Sequence, residues 1–245
     1  MTLANGDYEF KFATDVNDQE TLTEGSDCTL TTDIYTNRTL AVSGASIIYG
    51  VVCWESCLDC LPNVITSDLV GKDWTLWERP GVIAVGPGIG RGDYFTADQA
   101  WVDGAPCLFD DTFTFDDTGG FVINVGDGVL LENSMDSVST SGCVAVGDIP
   151  NNLTAWGGGA FTYTFEEGSE TSLPTISVTG NGAYIGFFKG GAGTEQTSPI
   201  DTTITYEIIN FYDGPINNRM HIGVDYSAAG DGSAYWNYWL TSPVQ

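Results

Sequence analysis

The chain is poor in positive charge. Seven lysines and arginines stand against 33 aspartates and glutamates, a formal net charge of −26 over 245 residues. Nucleic-acid binding rests on Lys and Arg contacts to phosphate, so this balance argues against it, and against anionic lipid or dense polyanions unless calcium bridges the two. Neutral glycans, calcium ions and cationic partners are compatible with it. Histidine is scarcer still: His221 is the only one, which leaves little room for a catalytic triad, and no G-x-S-x-G elbow occurs. No run of apolar residues is long enough to span a membrane. The start "MTLANGDYEF" lacks the basic residues and apolar stretch of a secretion signal and reads as the inside of a β domain. The chain is therefore expected to be part of a larger exported protein, with neighbouring domains.

Helical periodicity is also missing. With 31 glycines and nine prolines, no segment makes a long amphipathic helix, and only "SDLVGKDW" would hold one short turn. Alternation with period two is present instead. "YEFKFAT" sets Tyr8, Phe10 and Phe12 on one side, and "RTLAVSG" and "IIYGVVCW" follow as two further strands. Beyond them come "WTLWE", "DTFTFDD", "GGFVINVG", "AFTYTFEE", "TISVTG", "AYIGFFKG", "ITYEIINFY", "RMHIGVDY" and "YWNYWLTS", cut by Gly, Asp and Asn turns. This pattern predicts an all-β protein: a small β unit over residues 1–61, then a jelly-roll-like β-sandwich over residues 62–245.

The six cysteines are Cys28, Cys53, Cys57, Cys60, Cys107 and Cys143. An even count in a turn-rich β chain fits disulfides, hence an extracellular or cell-surface location. The alternatives are a zinc site built on Cys53, Cys57 and Cys60 with Cys28 as fourth ligand, and a redox Cys57–Cys60 pair, which lacks its βαβ context. Local spacing favours Cys28 with Cys53, Cys57 with Cys60, and Cys107 with Cys143.

Two stretches resemble known modules. "GDYEFKFATDVN", "NRTLAVSG" and "VVCWESCLDC" resemble the end of a Cys-containing Ig-like domain of secreted Bacteroidota polysaccharide-utilisation proteins, whose first strands would be missing here. "DWTLWERPGVIAVGPG", "CLFDDTFTFDDTGGFVI", "AFTYTFEE", "TGNGAYIGFFKG", "ITYEIINF" and "YWNYWLTS" follow the order of a β-sandwich module often attached to family 16 glycoside hydrolases and surface glycan-binding proteins. The resemblance implies a truncated Ig-like unit before a glycan-binding-like module.

The family 16 catalytic pattern, with acids at alternate positions of one strand, does not occur: there is no ExDxE or ExDxxE. Asp110 and Asp111 are adjacent, so on a strand they would face opposite ways; they are candidates either for a structural calcium ion or for turn capping. Flat aromatic rings that stack on sugar faces are sought in loops. Tyr94 and Trp101 in "DYFTADQAW" qualify, with Asp93, Asp98, Gln99 and Asp103 nearby for hydroxyls, and so does Trp156 before "GGGA". Trp77 is the surface candidate opposite Trp74. On the last strand Trp239 shares a face with Tyr235 and Asn237, and Trp236 shares the other with Tyr238 and Leu240. One set is expected in the core and one partly covered, and Trp236 is included among the candidates. "GPGIGRG" reads as a mobile loop. The expectation is a non-catalytic extracellular module for a neutral polysaccharide such as a β-glucan. The alternatives are a self-associating structural or adhesive module and a hydrolase with a non-standard site.

Overall fold

A computed structural model describes residues 4–13, 19–26, 28–42, 61–169, 172–191 and 193–244. The chain divides into two compact units, Met1–Cys60 and Leu61–Gln245.

In the first unit, β1 (Gly6–Phe10), β2 (Thr29–Thr32) and β3 (Tyr35–Val42) form an antiparallel sheet with β3 in the middle. Arg38 of β3 is buried and forks onto Glu20, with Nη2 2.6 Å and Nε 2.8 Å from its carboxylate oxygens. The strand expected at "IIYGVVCW" lies outside the described residues, as do Cys53, Cys57 and Cys60. Cys28 is disulfide-bonded.

The second unit opens with a short helix α1 (Thr66–Leu69), then β4 (Asp73–Leu76), β5 (Ile83–Gly86), β6 (Phe95–Thr96) and α2 (Gln99–Gly104). Next come β7 (Thr112–Phe115), β8 (Gly120–Asn124), β9 (Gly128–Leu131) and β10 (Gly142–Ala145). The long strands close the chain: β11 (Gly159–Glu166), β12 (Thr175–Asn181), β13 (Asp201–Tyr212), β14 (Asn217–Asp225) and β15 (Tyr235–Pro243). Cys107 and Cys143 form a disulfide, the pair that local spacing favours.

The hydrogen-bonded order runs β14-β13-β12-β11-β8-β7-β4-β15 and returns from β15 to β14, a closed antiparallel barrel of eight strands. The unit is all-β as expected, but the strands do not split into the two layers of a sandwich. The reason lies in β15. One edge pairs with β14 along its whole length, and the other is shared between β5 at Tyr235–Tyr238 and β4 at Leu240 and Thr241. Closure removes the free edges that a sandwich leaves at its sides.

Alternation fills the lumen. Trp74, Phe113, Phe115, Phe121, Ile176, Val178, Ile204, Tyr206, Met220, Ile222, Tyr238 and Leu240 all point inward and are buried. A register shift between Ile208 and Asn210 lets Phe211 resume the inward side, where its ring meets Trp74 at 6.2 Å. The segment "AYIGFFKG" is not the strand its apolar run predicts. Residues 183–188 dip into the barrel as a plug, and Tyr184, Ile185, Phe187 and Phe188 are each at most 1% exposed. The plug is tied twice: the Ile185 N–H donates to the Tyr206 hydroxyl oxygen at 3.0 Å, and the Tyr238 hydroxyl donates to the Phe187 carbonyl at 3.0 Å. Gly186 is required there, because φ is +83° and a Cβ would stand 2.8 Å from the Tyr238 ring.

Candidate ligand-binding face

The closure of the barrel determines which side chains remain outside. On β14 the outward row is Arg219, His221, Gly223 and Asp225, between inward Met220, Ile222 and Val224. Its neighbours in register on β15 are Thr241, Trp239, Asn237 and Tyr235. Asp225 and Arg219 mark the two ends of this row, about 20 Å apart at the rise of an extended strand.

The Asp225 end is an open groove of about 630 Å³. Its floor carries the hydroxyls of Thr175, Thr203 and Thr205. Thr205 and Thr203 hydrogen-bond to Ser177 and Thr179 of β12, each at 2.8 Å, which carries the row of hydroxyls on beyond the groove. Its walls are Glu207, Asp225, Ser227 and the small residues Ala228–Gly230. Both carboxylates are oriented by fixed donors. The Tyr235 hydroxyl donates to Glu207 Oε2 at 2.6 Å. Asp225 accepts the Ser227 N–H at 2.8 Å and the Gly232 N–H at 2.9 Å, which folds the β14–β15 loop over the groove. No lysine or arginine lines it among the described residues. Tyr94 is 62% exposed and is not part of the groove's lining; its N–H donates to the Val85 carbonyl at 2.9 Å.

The Arg219 end is aromatic and basic. Trp77 follows β4 and meets Trp239 edge-on at 6.2 Å, and Trp239 stacks on His221 at 4.3 Å with nearly parallel rings. The guanidinium carbons of Arg79 and Arg219 lie 4.0 and 4.2 Å from the Trp77 ring centre. Burial holds the His221 pKa down to about 4, so this ring is neutral at physiological pH.

The residues singled out from sequence scatter. Trp77 is half-buried on the outside, while Trp74 is sealed within. Trp101 is half-buried against Phe95 at 5.9 Å, placed by the Asp98 side chain that accepts its backbone N–H at 2.8 Å. Trp156 and Trp236 are corrections: they are 2% and 5% exposed and cannot meet a sugar face. Trp156 stacks on Phe188 at 4.1 Å, and Trp236 packs against Phe187 at 6.1 Å, so both belong to the plug's packing. All four polar residues expected to greet hydroxyls have intramolecular partners. Asp93 pairs with Arg91 at 2.6 Å, Asp98 caps α2, and Asp103 accepts from Gln99 at 2.8 Å. The "GPGIGRG" loop, expected to be mobile, is fastened to β15: the Gly90 N–H donates to Asn237 Oδ1 at 2.7 Å, and Asn237 Nδ2 donates to the Arg91 carbonyl at 2.9 Å.

Asp110 and Asp111 do different things. Asp110 accepts the Asp127 N–H at 2.9 Å and caps that turn. Asp111 is 1% exposed, neither carboxylate oxygen has a hydrogen-bond partner, and burial, helped by Asp110, pushes its pKa up to about 8. Calcium takes six to eight oxygens, and no three His, Cys, Asp or Glu side chains converge among the described residues.

Sequence reasoning passed over Glu207 and Asp225. The available signal was "IGVDYSAAGDGSAYW", an Asp leaving a strand into a loop of small residues. Comparison with protein-family models, curated proteins and solved structures finds no match to this chain.

Proposed function

We propose that this chain is a non-catalytic, extracellular module that binds a neutral polysaccharide, a β-glucan being the first candidate, in the groove between β12, β13 and the β14–β15 loop. The observation that carries the reading is the lining: hydroxyls and two pre-oriented carboxylates, with no cation, in an open groove. Carboxylates accept strong hydrogen bonds from sugar hydroxyls, and a ladder of Ser and Thr both donates and accepts. A polyol fits such a surface, whereas a polyanion would be repelled by it and by the chain's overall charge of −26. The Cys107–Cys143 disulfide is compatible with an oxidising location, and no helix among the described residues is long and apolar enough to cross a membrane. The order of motifs resembling the modules of glycan-degrading systems supports the same reading.

The test is affinity electrophoresis against laminarin, mixed-linkage glucan, xylan and starch, with Glu207→Gln alongside. Retardation by at least one neutral glycan, weakened about tenfold in the variant, is expected for loss of one charge-assisted contact. No retardation by any of them overturns the proposal. Release of reducing sugar on long incubation would replace it with a hydrolase.

A further inference from the structure

The groove opens onto two rows of hydroxyls that leave it across the strands. The outward side chains of β11, β12 and β13 alternate with the buried Tyr163, Ile176, Val178, Ile204 and Tyr206. In register the outward residues read Thr205–Ser177–Thr164 and Thr203–Thr179–Thr162. Thr205 and Thr203, the first member of each row, line the groove. Each is joined to its β12 neighbour by a hydroxyl–hydroxyl bond of 2.8 Å. Such a bond uses one O–H and leaves the second O–H and further lone pairs for a ligand. Thr164 and Thr162 are exposed and end the rows on β11. No charged residue interrupts either row, whereas the margins are acidic: Glu207 and Glu166 flank Thr175 on one side, and Asp201 stands on the other. Propensity accounts for a threonine on each strand; it does not account for a groove that opens onto both rows at once.

We infer that the bound polysaccharide runs across the strands, from the groove over β12 to β11, and is an extended ribbon of β-1,4-linked glucose rather than a curled β-1,3-linked chain. The inference rests on the glycan reading of the groove and names the linkage that the groove and its two rows select. Hydroxyls along a row recur at the interstrand spacing of about 4.8 Å, and the rows lie about 7 Å apart, two residues along a strand. An extended β-1,4-linked chain advances by nearly the same step per sugar and carries hydroxyls on both edges, so each sugar meets one strand and both rows. The strands turn by about 20–25° from one to the next, a twist that rotation about successive glycosidic bonds follows. Threonine methyls between the hydroxyls give the sugar C–H groups apolar area to cover. The acidic margins accept from hydroxyls at the sides and repel acid-bearing substituents. A β-1,3-linked glucan curls away from a straight line within a few sugars and would meet the groove alone.

The experiment titrates cello-oligosaccharides (β-1,4) and laminari-oligosaccharides (β-1,3) of three to six sugars calorimetrically into the full chain. In wild type the β-1,4 series should gain about tenfold in affinity from the trisaccharide to the hexasaccharide, as the added sugars reach β12 and β11. The β-1,3 series should not gain. Thr162→Val/Thr164→Val keeps shape and strand propensity and removes only two hydroxyls at exposed positions, so the fold is retained. It should bring the β-1,4 hexasaccharide down to the level of the trisaccharide. Glu207→Gln, inside the groove, should weaken every length alike. Equal hexasaccharide affinities in the two series, a gain in the β-1,3 series alone, or a gain with length that survives in the double variant overturns the inference while the groove reading stands. Binding of neither series also overturns it, and the groove reading falls with it if xylan and starch fail to bind as well.

Discussion

The inside and the outside of the barrel are both rich in tryptophan, and the same side chain means different things in each. Trp74, Trp156 and Trp236 are sealed in the lumen, 0%, 2% and 5% exposed, where they pack against Phe211, Phe188 and Phe187. Trp77 and Trp239 are half-buried outside and meet each other, two arginines and a histidine. Inside, an indole stabilises by area removed from water. Outside, it offers a platform whose value shows only when something lands on it. On the strands the difference is set by face, so a residue two positions away shares a fate that its immediate neighbour does not; Trp156, at the end of a short helical turn over Asn151–Trp156, is buried by its stack on Phe188 instead.

The largest effect that would break this contrast is on stability. Trp156→Ala should cost about 3–5 kcal/mol in denaturant unfolding, the range for emptying a large aromatic site. Trp77→Ala should cost about 1 kcal/mol, the scale of exposed cation–π contacts. Equal losses would place Trp77 in the core.

A buried carboxylate sharpens the contrast next. Asp111 has its folded pKa raised to about 8. Between the unfolded value and about 8 the folded state holds a proton that the unfolded state has lost, so stability from this group falls as pH rises through that window. His221, lowered to about 4 by burial, has the opposite sign: its stability is present above the unfolded value and is lost as pH falls towards 4. The two slopes oppose each other in the acid range, and above about pH 6.5 only the decline due to Asp111 remains. Asp111→Asn should therefore raise stability at pH 8 by on the order of 2–3 kcal/mol and leave it little changed near pH 4. Melting with calcium and with chelator completes the test: a calcium-dependent rise present in wild type and lost in the variant would assign Asp111 to a metal.

A smaller effect is expected at the plug. Gly186→Ala combines a positive φ with a close approach to Tyr238, and should cost about 1–3 kcal/mol in thermal melts without altering affinity for a ligand on the outer face.

The all-β class was legible because period-two alternation is a local property: in "DTFTFDD" Phe113 and Phe115 share a face and both are buried. The closed barrel was not legible, since alternation gives the faces of each strand and says nothing about whether the last strand pairs with an early one. The plug was misread for a related reason. "AYIGFFKG" is apolar enough for a buried strand, and only the positive φ at Gly182 and Gly186 turns it inward instead. Trp156 and Trp236 were misplaced because aromatic content in a loop or a final strand does not report exposure. Glu207 and Asp225 were hidden among 33 acids. What distinguishes them is three-dimensional: a phenol donating to one, two backbone amides to the other, and hydroxyls on the neighbouring paired strands β12 and β13.

The central claim is that the groove beside Glu207 and Asp225 holds a neutral glycan. Calorimetric titration of wild type and Glu207→Gln with a neutral β-glucan tests it directly. The account predicts saturable binding that weakens about tenfold in the variant, with unchanged melting behaviour. Equal affinity in the two proteins would contradict it.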